Sequence, residues 1–390
     1  MIIALWIALF IVAYTFIGYG ILLFFLVKIK RLLTKPRALP PYVNLPTVSI
    51  LIAAYNEEGL IEEKIKNTLS LDYPAGRIQV IIVTDGSTDQ TPAKVSKYES
   101  VLLLHSDLRG GKMAAIKRTI PFVTGDVILF TDANTFLNKA AVKELVKHYQ
   151  NPQVGAVAGE KRILVEQAAD ASSAGEGFYW KYESLLKKWD YELYSNVGAA
   201  GELFSIRTEL YEPVESDTII DDHMIAMRIA EKGYIIAYEP LAYAMETASQ
   251  NSKEELKRKV RIAAGGIQSI IRLKKAANPF RHPVLTFQYI SHRVLRWTIT
   301  PVLLILAFVL NGLILLDAPP EFYVYLFIAQ VVFYILSLAG MYFESRNIRI
   351  KSAFIPFYFC MMNYAVLAGI LRYFRNNQSA AWEKSKRKVG

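Results

Sequence analysis

The sequence predicts a mostly parallel α/β domain with transmembrane helices at both ends of the chain. Three observations support this prediction: uncharged apolar runs near both ends, a polar stretch at about 38–277 between them, and strand-like runs that alternate with amphipathic stretches inside it. The chain has 390 residues, of which 53% are hydrophobic and 21% charged, and this composition excludes a disordered protein. Its single cysteine, Cys360, excludes an internal disulfide.

The first apolar run, residues 2–27, carries no charged side chain and is long enough for a helix to cross a hydrocarbon layer of about 30 Å. It lacks the basic start and the small-residue cleavage site of a signal peptide. Three further uncharged runs follow late in the chain. The predicted organisation begins with an N-terminal helix and its basic flank at 1–37, followed by a polar domain at 38–277 and an amphipathic interfacial helix at 278–296. A membrane region at 297–373 then contains the runs at 297–316, 322–343 and 352–371, and a basic tail occupies 374–390.

Basic side chains flank these runs asymmetrically, and Lys and Arg near a membrane helix are retained in the cytoplasm. The first run is followed at once by Lys28, Lys30, Arg31, Lys35 and Arg37, and residues 256–297 hold ten basic side chains and no acidic one. We therefore expect a plasma (inner) membrane protein whose polar domain is cytoplasmic. Four spans would place the basic tail outside, so either the tail is external or the run at 352–371, with Pro356 and Asn363, re-enters or lies at the interface. The second alternative is favoured.

The strand-like runs in the polar domain do not alternate between apolar and polar residues, which indicates strands buried on both faces of a sheet. They lie at 48–53, 80–83, 101–104 and 127–130, and helix-like segments lie at 58–70 and 111–120. In such sheets ligands bind beyond the carboxyl ends of the strands. Polar residues occur there in order: Tyr55, Asn56 and Glu57, then Asp85, then Asp132 and Asn134. A nucleotide site is therefore predicted, and the glycine-rich strings of dinucleotide redox sites and P-loops do not occur.

Six motifs follow one another in this domain: AAYNEE (53–58), TDGSTD (84–89), GGK (110–112), FTDAN (130–134), GELFSIR (201–207) and DDHMIAMR (221–228). Their order and spacing between membrane helices resemble the membrane-bound glycosyltransferase family 2, and within it the hyaluronan, chitin, cellulose and poly-N-acetylglucosamine synthases. The resemblance covers about residues 45–300. It implies a Rossmann-like glycosyltransferase A domain that uses a nucleotide sugar with inversion.

The resemblance also implies donor-side roles. Tyr55 and Glu57 would contact the nucleoside, Asp85 would accept a hydrogen bond from the base, and Lys112 would lie close to the nucleotide. Asp132 is the expected ligand of Mg²⁺ or Mn²⁺. The family's second aspartate is Asn134 here, which is expected to be a direct or water-mediated ligand that offers oxygen but no charge.

On the acceptor side, Asp222 matches the general base of the family because it lies six residues before Arg228. An acid at a helix start can also merely complement the helix dipole. The family's Gln-x-x-Arg-Trp motif is altered: Arg258 and Ile262 replace its Gln and Trp, while Arg261 can keep a phosphate role. The expected acceptor-side residues are Trp180, Gly201, Glu202, Asp221 and Arg258.

The leading prediction is an inverting, metal-dependent transferase that extends a membrane-associated polysaccharide from a UDP-sugar; whether it also exports the product is left open. One alternative is a transferase that adds a single sugar to a polyprenyl-phosphate or lipid-linked oligosaccharide, and the altered motif favours it. Another is a catalytically silent, nucleotide-binding regulator of a synthase. The expected partners are the donor, a glycan or lipid-linked acceptor, and membrane lipids. Nucleic acid is not expected, because the basic stretch at 256–297 adjoins a membrane run.

Overall fold

The computed structural model of the chain describes residues 1–34, 44–164, 171–247, 252–317, 320–346, 348 and 350–375. The predicted basic flank residues Lys35 and Arg37 lie outside the described residues, as does the basic tail from 376 onward. Eight strands lie in the described part: β1 (Val48–Ala54), β2 (Ile78–Asp85), β3 (Val101–Ser106), β4 (Val127–Asp132), β5 (Phe136–Leu137), β6 (Val154–Leu164), β7 (Phe204–Arg207) and β8 (Ile235–Thr247).

The strands form one mixed sheet in the order β3-β2-β1-β4-β7-β6-β8-β5. The first four are parallel to one another, and β6 is parallel to β8. Strand β7 is antiparallel to both β4 and β6, and the short β5 is antiparallel to β8. The predicted mostly parallel α/β sheet is therefore confirmed.

Helices cover both faces of the sheet, as the unalternated strands require. All seven residues of β1 are buried. Ile50 packs with Ile61 in one core cluster, while Leu51 packs with Met113 and Ile116 in the other. The described α-helices are α1 (Ile2–Ala13), α2 (Tyr19–Leu33), α3 (Ile61–Leu69), α4 (Thr91–Val95), α5 (Lys112–Thr119), α6 (Ala141–Val146), α7 (Ala171–Leu193), α8 (Asp221–Glu231), α9 (Ser252–Arg272), α10 (Pro283–Tyr289), α11 (Leu295–Trp297), α12 (Ile299–Ile314), α13 (Glu321–Ser345) and α14 (Lys351–Phe374).

Within the described residues, four helical segments are long and apolar enough to cross a membrane: Ile2–Leu33, Ile299–Asp317, Glu321–Ser345 and Lys351–Phe374. The first joins α1 to α2 through a π-helical turn, Tyr14–Gly18. Helix α1 packs against α12, and α13 packs against α14. Helical membrane segments therefore lie at both ends of the α/β domain.

Helix α14 is continuous through Pro356 and lies along α9, a helix of the polar domain. Near its start, Phe354 packs in one cluster with Leu256 of α9. Near its end, a Cβ at Gly369 would lie 2.6 Å from the Cβ of Ala263, so the two helices approach closely there as well. Both ends of α14 thus contact the same helix of the α/β domain, a position that differs from those of the other three segments.

Of the segment expected to be an interfacial helix, 278–296, residues 285–296 pack against the protein, whereas 278–281, 283 and 284 are exposed. Helix α10 continues through a π-helical turn, Ile290–Val294, into α11. Gln288 and His292 are fully buried, and His292 Nδ1 lies 2.6 Å from Asp190 Oδ2 of α7. The polar groups of the packed part pair with carboxylates of α7, whereas the sequence suggested lipid headgroups as their partners. These groups are Gln288, His292, Arg293 and Arg296.

Candidate active site

The carboxyl ends of β1, β2 and β4 meet at one edge of the sheet and carry the expected donor-side residues. Strand β1 lies between β2 and β4, and all three run parallel. Tyr55 follows β1, while Asp85 and Asp132 are the last residues of β2 and β4. The strand order thus brings these three side chains to one edge.

Asp85 anchors the loop that precedes α5. Its Oδ2 accepts the backbone N–H groups of Gly110 at 2.9 Å and Gly111 at 2.6 Å, and the residue is only 2% exposed. Gly111 has a φ of 89°, a conformation that glycine adopts without strain. Asp85 therefore fixes the start of the helix that begins with Lys112. Only Oδ2 is used by the backbone, and Oδ1 lies 3.5 Å from Arg118 Nη1. The expected contact of Asp85 with a base stays a prediction.

Tyr55 has a cation against its ring. The guanidinium carbon of Arg109 lies 3.9 Å from the ring centroid, and Arg109 Nη1 donates to the phenol oxygen at 3.3 Å. Nearby, the backbone N–H of Glu57 donates to Thr91 Oγ1 at 2.8 Å. Sequence reasoning missed Arg109, whose only signal was a basic residue directly before the GGK motif.

Four charged side chains converge beside these strand ends and form what we call the central cluster: Lys112, Asp132, Asp221 and Asp222. Lys112 Nζ lies 3.1 Å from both Asp132 Oδ1 and Asp221 Oδ2. A Cβ at Gly201 would lie 3.5 Å from Asp132 Oδ2, Asp222 Oδ2 and Lys112 Nζ. The glycine therefore keeps the middle of the cluster free of a side chain, and the structure brings together residues from both the donor and the acceptor sets.

The central cluster carries three carboxylates against one ammonium, and the pKa values reflect this excess. Burial alone would lower the pKa of Lys112, but the three aspartates raise it above its ordinary value. Burial raises the pKa of Asp132, and Lys112 offsets part of that rise. Burial and the neighbouring Asp221 raise the pKa of Asp222 to about 7. The cluster is thus electrostatically complementary to an additional cation.

The residues present fit a divalent cation that is shared with a ligand. Asp132 offers a carboxylate whose Oδ2 lies near the gap at Gly201, and Asn134, two residues on, is half-buried and offers an amide oxygen. Across the described residues, no group of three His, Cys, Asp or Glu side chains could hold a metal by itself. Mg²⁺ or Mn²⁺ would therefore take further oxygen ligands from a bound phosphate compound, as hard cations commonly do.

Glu202 and Arg258 form a second charged group next to Gly201. Lys161 Nζ lies 2.5 Å from Glu202 Oε1, and Arg258 Nη1 lies 3.9 Å from the same oxygen. Burial would raise the pKa of Glu202, but Lys161 and Arg258 hold it below its usual range. The ring centroid of Trp180 lies 5.6 Å from Lys161 Nζ. Three expected acceptor-side residues thus lie around one buried lysine.

Arg261 lies beside the segment that leads into the acidic pair. Its Nη1 donates to the backbone carbonyl of Ile219 at 3.4 Å, two residues before Asp221. No ion pair links Arg261 to a carboxylate among those found in the described part of the chain. The guanidinium is therefore held by the backbone, and its expected phosphate contact stays a prediction.

Sequence reasoning also missed Trp297, which packs near the position where the family's tryptophan is replaced by Ile262. Trp297 and Ile262 belong to one apolar cluster, and the Trp297 ring lies over Gly266. The same ring meets the His223 ring edge-on at 5.4 Å. Burial lowers the pKa of His223 to about 3, so this imidazole is neutral. An aromatic ring from another element thus lies beside the residue that follows Asp222.

Comparisons with known proteins agree with this geometry. Residues 49–211 match the family model described as Glycosyl transferase family 2. A beta-monoglucosyldiacylglycerol synthase of Nostoc sp. is 34% identical over 169 residues, which are 41% of this chain and 34% of that protein. A poly-beta-1,6-N-acetyl-D-glucosamine synthase of Staphylococcus aureus is 27% identical over 239 residues, 59% of this chain and 57% of that protein. The chain thus spans between a third and just over half of the length of these relatives.

The fold is also similar to that of a solved structure, the mannosyltransferase PcManGT from Pyrobaculum calidifontis in complex with GDP-Man and Mn²⁺. The TM-score is 0.72 at 23% sequence identity, and the match covers 96% of this chain and all of that one. The fold likeness and the family match together confirm the resemblance that the six motifs indicated. The chain therefore contains a glycosyltransferase family 2 domain, within residues 49–211.

Proposed function

We propose that this chain is an inverting, metal-dependent membrane glycosyltransferase that moves a sugar from a nucleotide sugar to a membrane-associated acceptor. The central cluster carries this proposal. Three carboxylates and one ammonium surround the gap at Gly201, where the donor-side strand ends meet the start of α8. A negatively charged site of this kind suits a diphosphate only when a cation binds with it.

Asp222 is the proposed general base. Inversion requires the acceptor hydroxyl to attack the anomeric carbon from the side opposite the nucleoside diphosphate, and its proton must go to a base on that side. The pKa of Asp222, raised to about 7 by burial and Asp221, suits a base that works near neutral pH. A bound Mg²⁺ or Mn²⁺ would supply positive charge at the leaving diphosphate. The ammonium of Lys112 would supply further positive charge at the leaving diphosphate.

The donor and acceptor are proposed by class. The sequence favoured a UDP-sugar, while the similar mannosyltransferase was solved with GDP-Man, so both nucleotides belong in a donor test. The named relatives make a glycolipid in one case and a polysaccharide in the other. Extension of a membrane-associated polysaccharide is the leading proposal. Addition of a single sugar to a lipid-linked acceptor is the second, and the packing of Trp297 with Ile262 favours it because this ring is already used inside the protein.

We also propose a membrane arrangement in which the catalytic domain is cytoplasmic and three helical segments span the plasma (inner) membrane. Helix α14 would lie at the interface along α9, since both of its ends contact α9. This arrangement places the basic tail on the cytoplasmic side, in agreement with the positive-inside rule. A reporter fused to the C-terminus tests it: reporter activity in the cytoplasm is expected, and periplasmic activity would contradict it.

The decisive experiment on activity uses the full-length chain purified in detergent. It is incubated with a panel of UDP- and GDP-sugars and with Mg²⁺ or Mn²⁺, and the release of nucleoside diphosphate is measured together with product length. Turnover of one donor is expected. A polymer ladder would identify the synthase, and a single addition would identify the lipid-linked alternative. Nucleotide binding without turnover in the presence of membrane lipids would support the silent regulator and contradict the proposal.

A further inference from the structure

An apolar groove lies away from the active site, between the N-terminal membrane segment and α7. Its volume is about 440 Å³, and its walls include Phe16, Ile21 and Phe24 from the membrane segment and Tyr182, Leu185 and Trp189 from α7. From Phe16 to Phe24 the helix rises by about 12 Å. The groove is thus long and narrow and has almost entirely apolar walls.

Gly20 creates the groove by letting the two helices approach each other. A Cβ at this position would lie 2.5 Å from the Tyr182 hydroxyl oxygen. That hydroxyl donates to the backbone carbonyl of Phe16 at 2.9 Å. The Tyr182 hydroxyl is therefore already paired, and the surface beside it is left for an apolar ligand.

The charges around the groove indicate what kind of molecule fills it. Ile21, on the edge of the groove, is 54% exposed and belongs to the uncharged run at 2–27, so its surroundings are hydrocarbon. Tyr182 and Trp189 are the aromatic types enriched where hydrocarbon meets headgroups. Lys28 Nζ lies 4.7 Å from the ring centroid of Phe24, at the end of the groove. An apolar channel that ends at a cation matches a chain with an anionic head.

We propose that this groove binds one acyl chain of an anionic membrane glycerolipid, with its phosphate beside Lys28. The lipid would fasten α7 to the N-terminal membrane segment. Residues 182, 185 and 189 share one face of α7. Trp180 and Lys187 are seven residues apart, almost two full turns, so they share a face with each other. At about 100° per residue, that face lies opposite the face of residues 182, 185 and 189. The bound lipid is therefore separate from the acceptor side of the active site, and the proposal does not depend on the proposed function.

Quenching of tryptophan fluorescence by brominated lipids tests the site. The full-length protein is reconstituted into phosphatidylcholine vesicles that contain a rising fraction of phosphatidylglycerol with brominated chains. A specific site predicts a quenching component that saturates at a low mole fraction and disappears in Trp189→Phe. Lys28→Gln should weaken the apparent affinity of that component about fivefold, as expected for loss of one charge-assisted contact. Quenching that rises in proportion to the mole fraction, and equally for brominated phosphatidylcholine, would overturn the proposal.

A matched pair of variants controls for general effects on the membrane segment. Ile21→Phe fills the groove and should abolish the saturable component, whereas Ile3→Phe, at a position 77% exposed outside the groove, should leave it intact. Circular dichroism of both variants establishes that they are folded. Saturable quenching that survives in folded Ile21→Phe would overturn the site.

Discussion

Two clusters of charged residues in this protein differ in how their charges are balanced. The central cluster joins Lys112 to Asp132, Asp221 and Asp222. The second, which we call the anchor cluster, lies where the N-terminal segment meets the α/β domain and consists of Tyr19, Glu183, Asp190, His292, Arg293 and Arg296. Both are built from carboxylates and cations at hydrogen-bonding distances.

In the anchor cluster, each carboxylate is paired. His292 lies between Asp190 at 2.6 Å and Glu183 at 3.2 Å, and Arg293 and Arg296 lie 2.7 and 2.9 Å from Glu183. Burial would raise the pKa of Glu183, but Arg293 and His292 hold it well below its usual range. Tyr19 donates to Asp190 as well. The carboxylates are therefore stabilised in their charged form by groups of the protein itself.

In the central cluster, the carboxylates outnumber the cations, and the pKa values of Asp132 and Asp222 are raised. Asp132 and Asp222 are only half-buried and border a gap that no side chain fills. The comparison teaches that a buried network whose charges are balanced suits a structural role, because no ligand is needed to compensate its charges. A partly open network with excess negative charge is incomplete without a ligand that brings positive charge.

The largest expected effect comes from replacing the proposed base. Asp222→Asn keeps the shape of the site but cannot accept a proton, so sugar transfer should fall by about 10³-fold, the usual contribution of a general base. Binding of the nucleoside diphosphate, measured by calorimetry, should persist. The control is Asp72→Asn, which removes an exposed carboxylate paired with Lys143. Wild-type transfer by Asp222→Asn would show that Asp222 is not the base.

The next effect is on stability and concerns the anchor cluster. Asp190→Asn removes the buried charge that Tyr19 donates to and that His292 contacts at 2.6 Å, and it should lower the free energy of unfolding by about 3–5 kcal/mol. Thermal unfolding in detergent measures this change.

The matched control for Asp190→Asn is Glu192→Gln, which breaks a more exposed ion pair with Arg31 and should cost less than about 1 kcal/mol. Equal losses of stability in the two variants would mean that burial and balance of charge do not distinguish the anchor cluster.

A third prediction concerns pH. Only deprotonated Asp222 can accept a proton, so the transfer rate should rise as pH rises through about 7 and fall about tenfold per unit below it. Asp221→Asn removes a neighbouring charge that raises the pKa of Asp222, so the midpoint of the rate profile should move to lower pH. The profile is measured at saturating donor. A midpoint that does not move in Asp221→Asn would contradict the assigned coupling.

The same raised pKa makes a prediction about folding. Because the folded protein holds the proton of Asp222 more tightly than the unfolded chain does, this group's stabilising effect is lost as pH rises through about 7. Added Mn²⁺ with nucleoside diphosphate should restore stability above that pH. Thermal unfolding across pH, with and without these ligands, measures both effects, and a ligand effect that is the same at every pH would contradict the linkage.

The smallest expected effect lies at the edge of the donor side. Arg109→Ala removes the guanidinium from the half-buried ring of Tyr55 and should raise the donor KM about threefold, in line with a cation–π contact of about 0.5–1 kcal/mol. Arg109→Lys keeps the positive charge without the planar stacking, so its donor KM should lie between those of the wild type and Arg109→Ala. An unchanged donor KM in Arg109→Ala would show that the Tyr55 ring is not part of the donor site.

Much of the α/β domain could be predicted because its strands are encoded locally. The runs that end at Asp85 and Asp132 carry unbroken apolar residues, and such runs specify strands buried on both faces. The order of the motifs after them then indicated which strand ends carry polar groups. Lys64 illustrates what this reasoning could not reach: it is fully buried and donates to Thr131 Oγ1 at 2.9 Å and to the Thr135 carbonyl at 2.6 Å, directly below the loop of Asp132. A lysine within an amphipathic helix carries no local signal that its ammonium is buried against a strand of the sheet.

The sequence by itself determined the α/β class, the four apolar helices and the identity of the family 2 motifs, because periodicity, length and motif order are properties of neighbouring residues. Only the tertiary structure decided that Lys112 joins Asp132 to Asp221, that residues 285–297 pack against the protein, and that α14 lies along α9. These outcomes depend on which distant side chains compensate each buried charge. That balance is set between elements far apart in the chain, and no local pattern records it.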